Sequence, residues 1–256
     1  MDEDGLTISG DQFSLTTTGA EPTQLEAVVA ELQGVSRATY GQYCGLSRAA
    51  EMLGERWGML IIRDLITRPK TVAQLHSGLP RISEKALTMR LREMVYSGVI
   101  RELDERATDG STRYELTEYG RAAEDALLAL GRWGAMSLAS PRPEDIVTPD
   151  SLMVAIKATF KPRQAHGVHL KVELQLGAIV LHVKVDDGEL TVGSGPLAGA
   201  DAVINPGMLL KDLMTRDLDA EQALATGQVT VDGDPAAFLA FVDMFELPRL
   251  KAPVHA

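Results

Sequence analysis

One cysteine, Cys44, stands in 256 residues, so no disulfide can form within the chain. A reducing, cytoplasmic setting is the expectation for such a sequence. No stretch approaches the roughly 18 apolar residues that a membrane-spanning helix needs. The first 36 residues hold seven acids and no lysine or arginine, so MDEDGLTISGD has neither the basic nor the apolar part of a secretory signal. Catalytic signatures are missing as well: there is no G-x-S-x-G, no H-E-x-x-H, no Walker loop and no dinucleotide fingerprint. Gly193, Gly195 and Gly199 bracket a loop without the phosphate-binding spacing. Asp232-Gly233-Asp234 reads as a turn and helix cap and not as a calcium loop. His166, His169 and His182 have no paired acid at ligand spacing. We expect no enzyme, no cofactor, no metal site and no membrane partner.

The charge that is present is uneven. The net value is −11, yet residues 37–138 carry 15 basic and 13 acidic side chains, against 10 and 16 in residues 139–256. A nucleic-acid surface would have to lie in the middle segment, because counterion release requires cations gathered near phosphates.

Hydrophobic spacing divides the chain further. Residues 6–9 and 13–17 flank Gly10-Asp11-Gln12 as a short hairpin. Thr23 could cap a helix carrying Leu25, Val28, Val29 and Leu32. From Ser47 to about Thr67 the pattern is helical, with Met52, Leu53, Trp57, Leu60, Ile61 and Leu65; Pro69 stops it. Thr71 caps a short helix, and Ser83 caps a longer one that ends near Gly98. In RISEKALTMRLREMVYSGVI, Leu87, Leu91, Met94 and Val95 form a buried stripe, while Lys85, Thr88, Met89 and Arg92 repeat on another face. A hairpin turns at Asp109-Gly110, and a long helix capped by Thr117 carries Ala123, Leu127, Leu128, Leu130 and Trp133. The fold class is α+β, in four parts. These are an N-terminal extension (1–36), a helical and hairpin domain (37–139), a proline-rich linker (140–150) and a C-terminal domain (151–256). The last has alternating strands at 168–176 and 179–185, further strands, and helices, giving a mostly antiparallel sheet covered by helices.

Helix, short helix, capped helix and hairpin is the order of a winged helix-turn-helix, in which the capped helix enters the major groove. The words YCGLSRAAEMLGERWGMLIIRDL, LPRISEKALTMRLREMVYSGVIRE, RYELTEYGR and LLALGRWG resemble the HxlR family of bacterial transcription regulators over about residues 40–138. The resemblance implies a homodimer that binds double-stranded operator DNA and pairs through the helices flanking the reading unit. It assigns DNA contact to Arg81, Ser83, Lys85, Thr88, Met89 and Arg92. The wing would add Arg106 and Arg113, although Asp104, Glu105 and Asp109 depart from a purely basic wing. Trp57 reads as core. Cys44 matches a position where some HxlR-like regulators carry a redox-sensing thiol, which requires a depressed pKa.

The C-terminal domain resembles sterol-carrier-protein-type lipid-binding domains. The carrying words are GVHLKVELQLGAIVLHVKVDDGELTVG, ADAVINPGMLLKDLMT and LDAEQALATGQVTVDGDPAAFLAFVDMF, within about residues 150–247. Met153, Phe160, Leu209, Leu213, Met214, Phe238, Phe241, Met244 and Phe245 form a soft apolar set. By spacing alone these residues read as an ordinary core. The resemblance implies a pocket for an apolar, lipid-like small molecule. The expected function is a dimeric regulator that binds operator DNA and senses such a ligand. Two alternatives stand beside it: a redox regulator switched by Cys44, and a lipid carrier whose winged helix serves dimerisation.

Overall fold

The computed structural model describes residues 39–138, 142 and 144–248. The hairpin and helix expected within residues 6–32 lie outside the described residues. From Cys44 onward the chain forms one compact unit, distinct from the one that holds residues 39–43. In that short stretch the Gly41 N–H donates to Thr39 Oγ1 at 3.1 Å.

The first half of the unit begins with α1 (Gly45–Leu53) and α2 (Gly58–Thr67). The spacing predicted one helix over 47–67, and here the structure differs. Gly54 closes α1 by donating to the Ala50 carbonyl, and Trp57 takes φ 84°, a left-handed conformation unusual outside glycine. Both helices keep the same apolar period, so periodicity cannot reveal the turn between them. The turn aims Ile61, Ile62, Leu65 and Ile66 of α2 into the core. β1 (Lys70–Thr71) leads into α3 (Val72–Gly78), whose start is fixed by a reciprocal cap between Thr71 and Gln74. Next come α4 (Glu84–Tyr96), β2 (Ile100–Leu103) and β3 (Arg113–Leu116), and the three strands form an antiparallel sheet in the order β1-β3-β2.

The long helix expected from Thr117 is also divided. Thr117 caps a single turn, α5 (Glu118–Arg121), before α6 (Glu124–Ala135) starts. Gly120 explains the tight entry: a Cβ there would sit 2.0 Å from the Val99 carbonyl oxygen. Of the apolar positions assigned to this helix, Leu127 is buried and Leu130 and Trp133 are exposed.

The second half opens with α7 (Pro149–Thr159), capped reciprocally by Thr148 and Ser151. Pro149 and Asp150, placed in the linker by composition, are therefore helical. A five-stranded sheet follows, built from β4 (His169–Leu176), β5 (Ile179–Asp186), β6 (Glu189–Ser194), β7 (Ala202–Asn205) and β8 (Thr230–Gly233). The order is β6-β5-β4-β7-β8, with β4 and β7 parallel and every other pair antiparallel. Helices α8 (Leu210–Thr215), α9 (Ala220–Ala225) and α10 (Pro235–Asp243) complete the unit. Leu170, Val172, Leu174, Leu181, Val183 and Val185 alternate along β4 and β5 onto one buried face, against Met153, Ile156, Phe238, Phe241 and Phe245. The mixed α+β composition thus agrees with the sequence.

α7 serves two cores at once. Val154 packs with Ile61, Leu65 and Leu127 of the first half, while Met153 and Ile156 pack under the sheet of the second. Polar contacts reinforce this join. Lys70 Nζ lies 2.9 Å from Asp150 Oδ2, and the Thr67 hydroxyl donates to Asp150 Oδ1 at 2.6 Å. Lys157 pairs with Glu124 at 2.9 Å, and Arg132 donates to the Ala158 carbonyl at 2.8 Å.

Candidate nucleic-acid interface

The sequence of α4 determines which way it faces. Ser83 caps it by accepting from the Ala86 N–H at 3.2 Å. Leu87, Leu91 and Met94, at most 1% exposed, hold one side in the core. Helical geometry then turns Lys85, Thr88, Met89 and Arg92 outward, and all four are exposed, as are Arg81 and Ser83 at its entry. Lys85 and Arg81 have no ion-pair partner among the described residues. Arg90 does a different job. Its guanidinium pairs with Glu55 and, at 2.8 Å, with Glu93, so it ties α4 to the turn after α1. One helix therefore carries an apolar side, an ion-paired side and an outward hydroxyl-bearing cationic side.

The hairpin is built with less free charge. Arg106 donates to Thr112, and Arg113 is half-buried and lies 3.8 Å from Glu105. Arg101 pairs with Glu115. At the tip the Asp109 carboxylate accepts the Ser111 N–H at 2.9 Å and its hydroxyl at 2.5 Å, which pulls its pKa down, and Gly110 takes φ 81°. Of the two wing arginines assigned by the resemblance, Arg113 is ion-paired, and Arg106 is exposed and held by a hydroxyl with no carboxylate partner among the described residues.

Trp57 is partly buried against the first core, as read from sequence, with the Arg56 guanidinium 4.9 Å from its ring centre. Cys44 is exposed and immediately precedes α1. Backbone N–H donation from Ser47 and Leu46, with the Ser47 side chain, holds its thiol below the ordinary range. Arg48, four residues on, is paired with Glu51 at 3.3 Å.

The apolar set of the second half sits in the core. Met153, Leu213, Met214, Phe238, Phe241, Met244 and Phe245 are buried, Phe160 packs against them, and Leu209 is half-buried beside α8. Phe241 and Phe245 stack at 4.7 Å, and Phe160 reaches Phe245 at 5.4 Å. Of the nine, Phe160 also borders an open cleft between α6, the end of α7 and the turn after it. The histidines are scattered: His169 meets Asp186 at 2.6 Å, His166 faces Asp187, and His182 bonds the Gly195 carbonyl.

Sequence reasoning missed one polar cluster. Lys70 is 1% exposed and held by Asp150, and nearby Asp64 is equally buried. Arg63 bonds Asp64 Oδ1 at 2.8 Å, but Oδ2 has no partner among the described residues. Burial pushes the Asp64 carboxyl up despite the opposing Arg63 charge. No linear motif marks such a cluster, since Asp150 lies 80 residues from Lys70.

A capped helix with an outward cationic face, packed on two helices and followed by an antiparallel hairpin, defines a winged helix-turn-helix protein. The chain belongs to the HxlR-like helix-turn-helix family, whose description matches residues 52–141. It is 36% identical over 85 residues to the HTH-type transcriptional regulator YtcD of Bacillus subtilis (strain 168), spanning 33% of this chain and 68% of that one. With the HTH-type transcriptional regulator sll1512 of Synechocystis sp. (strain ATCC 27184 / PCC 6803 / Kazusa) the identity is 30% over 95 residues, 37% of this chain and 70% of the relative. A crystal structure of the transcriptional regulator ytcD is 34% identical, with a TM-score of 0.34, covering 36% of this chain and 94% of that one. The family match takes in α4 and the wing; Cys44 precedes it, and α7 and the five-stranded sheet follow it.

Proposed function

We propose that the protein is a homodimeric transcription regulator that binds operator DNA through α4 and senses an apolar small molecule through its sterol-carrier-like C-terminal half. The observation that carries the reading is the exposed quartet Lys85, Thr88, Met89 and Arg92 above the buried Leu87, Leu91 and Met94. Lys85 and Arg92 can meet phosphate or guanine, Thr88 can exchange a hydrogen bond with a base edge, and Met89 can touch a thymine methyl. Family membership supports the DNA reading. Exposed Leu46 on α1, with Leu130 and Trp133 on α6, supports pairing of two chains through those helices. A mostly antiparallel sheet lined on one face by phenylalanine and methionine supports the sensing reading. The ligand would act by binding the DNA-competent and incompetent shapes unequally.

An electrophoretic-mobility titration against the duplex upstream of the gene tests this. Lys85→Ala and Arg92→Ala should each weaken binding, by about 1–3 kcal/mol for a base contact, or by a salt slope smaller by about 1 for a phosphate contact. Unchanged binding by both variants removes α4 from the account. A redox reading is favoured by one further observation, the exposed and acidified thiol of Cys44. On that reading oxidant alters DNA binding by the native protein and leaves Cys44→Ser unaffected; a serine variant that responds fully excludes it.

A further inference from the structure

The cleft beside Phe160 joins the two halves of the unit. It has a volume of about 570 Å³, within the range of small-molecule sites, and is bordered by Arg132 of α6, the last residues of α7 and Glu246 near the end of the described chain. Its charge runs against that of the protein. In a chain of net charge −11, Arg132, Lys161 and Arg163 converge here with a single acid, Glu246, which is engaged by Lys161. Arg163 is exposed and has no ion-pair partner among the described residues. The end of a helix normally repels an anion through its free carbonyls. In this cleft those carbonyls are occupied: Ala158 accepts from Arg132 at 2.8 Å, and Thr159 accepts the Glu246 N–H at 2.8 Å. Phe160 and Pro162 supply an apolar wall, and Phe160 leads through Phe245 into the core.

We propose that this cleft binds a small amphipathic carboxylate, an acyl or aromatic acid, with its head group on Arg163 and Arg132 and its apolar body on Phe160 and Pro162. The proposal names the ligand class for the sensing reading above and rests on that reading only for its consequence, since binding here requires no DNA. The site spans α6 of the winged helix and the end of α7, so an occupant would bear on the contact that joins the halves.

Calorimetric titration of the full chain with decanoate, and with decanol as its uncharged counterpart, decides the matter. Decanoate should bind and decanol should bind at least tenfold more weakly. Arg163→Gln, at an exposed position that spares the fold, should weaken decanoate by about fivefold, the scale of a partly solvated charge pair. Arg163→Glu should weaken it further. No heat with decanoate, equal affinity for decanol, or native affinity in both Arg163 variants overturns the proposal. Unchanged operator binding by both α4 variants would overturn the regulator reading and leave these titrations unaffected, so the two failures are distinguishable.

Discussion

Asp64 carries a carboxylate into a place where half of it is answered. Arg63 bonds one oxygen, while the other is enclosed near Gly78 without a donor. Burial is the largest influence, so the folded-state pKa is raised above the ordinary 3.8. A raised value means that the folded state holds the proton more tightly than the unfolded state. The contribution of Asp64 to stability is thus full below about 3.8 and is lost as pH rises through the raised value. Asp64→Asn cannot titrate. The native protein should therefore gain stability relative to the variant as pH falls from neutrality, in urea unfolding at stepped pH. The opposite trend would show that Arg63, and not burial, governs the group. Neither the burial nor the missing donor was legible in RDLIT, because both depend on α7 and α3 closing over the site.

At the scale of elements, α4 and the wing divide the work unequally. The helix was largely legible: Ser83, the Leu87-Leu91-Met94 stripe and Gly98 are local signals that the structure honours, while Val95, read as part of the buried stripe, is half-buried at its edge. The wing was legible as a hairpin but not in its charge arrangement, which depends on cross-strand neighbours. Arg113 faces Glu105, and Arg106 is tied to Thr112. Releasing a paired arginine to a phosphate gives up its existing partner, so less net binding is gained. Arg113→Ala should consequently cost less operator affinity than Lys85→Ala in the same titration. Two helices predicted as continuous, over 47–67 and from Thr117, are each broken. In both cases the apolar period runs through the break, and the cause is backbone geometry at Trp57 or a close approach at Gly120.

For the whole molecule, the decisive element is α7. Composition placed its first two residues in a linker, yet the helix contributes Val154 to one core and Met153 and Ile156 to the other. Asp150 anchors it by accepting from Lys70 and Thr67. Removing the acid would leave an ammonium group at 1% exposure without its counter-charge. Asp150→Ala should lose about 3–5 kcal/mol, the usual cost of orphaning one half of a buried pair. Urea denaturation checks this, and a loss below about 1 kcal/mol would mean that Lys70 reaches water when released. Because the backbone of β1 also pairs with wing strand β3, Lys70 connects α7 to the wing as well.

The sequence by itself determined most of the succession of elements and the outward face of α4. These follow from caps, glycines and apolar spacing, all of which act within a few turns of the chain. Tertiary structure alone decided which cations are neutralised, which carboxylate is stranded, and that α7 belongs to both halves. Ion pairing and burial depend on distances between residues far apart in the chain, and no local pattern encodes them.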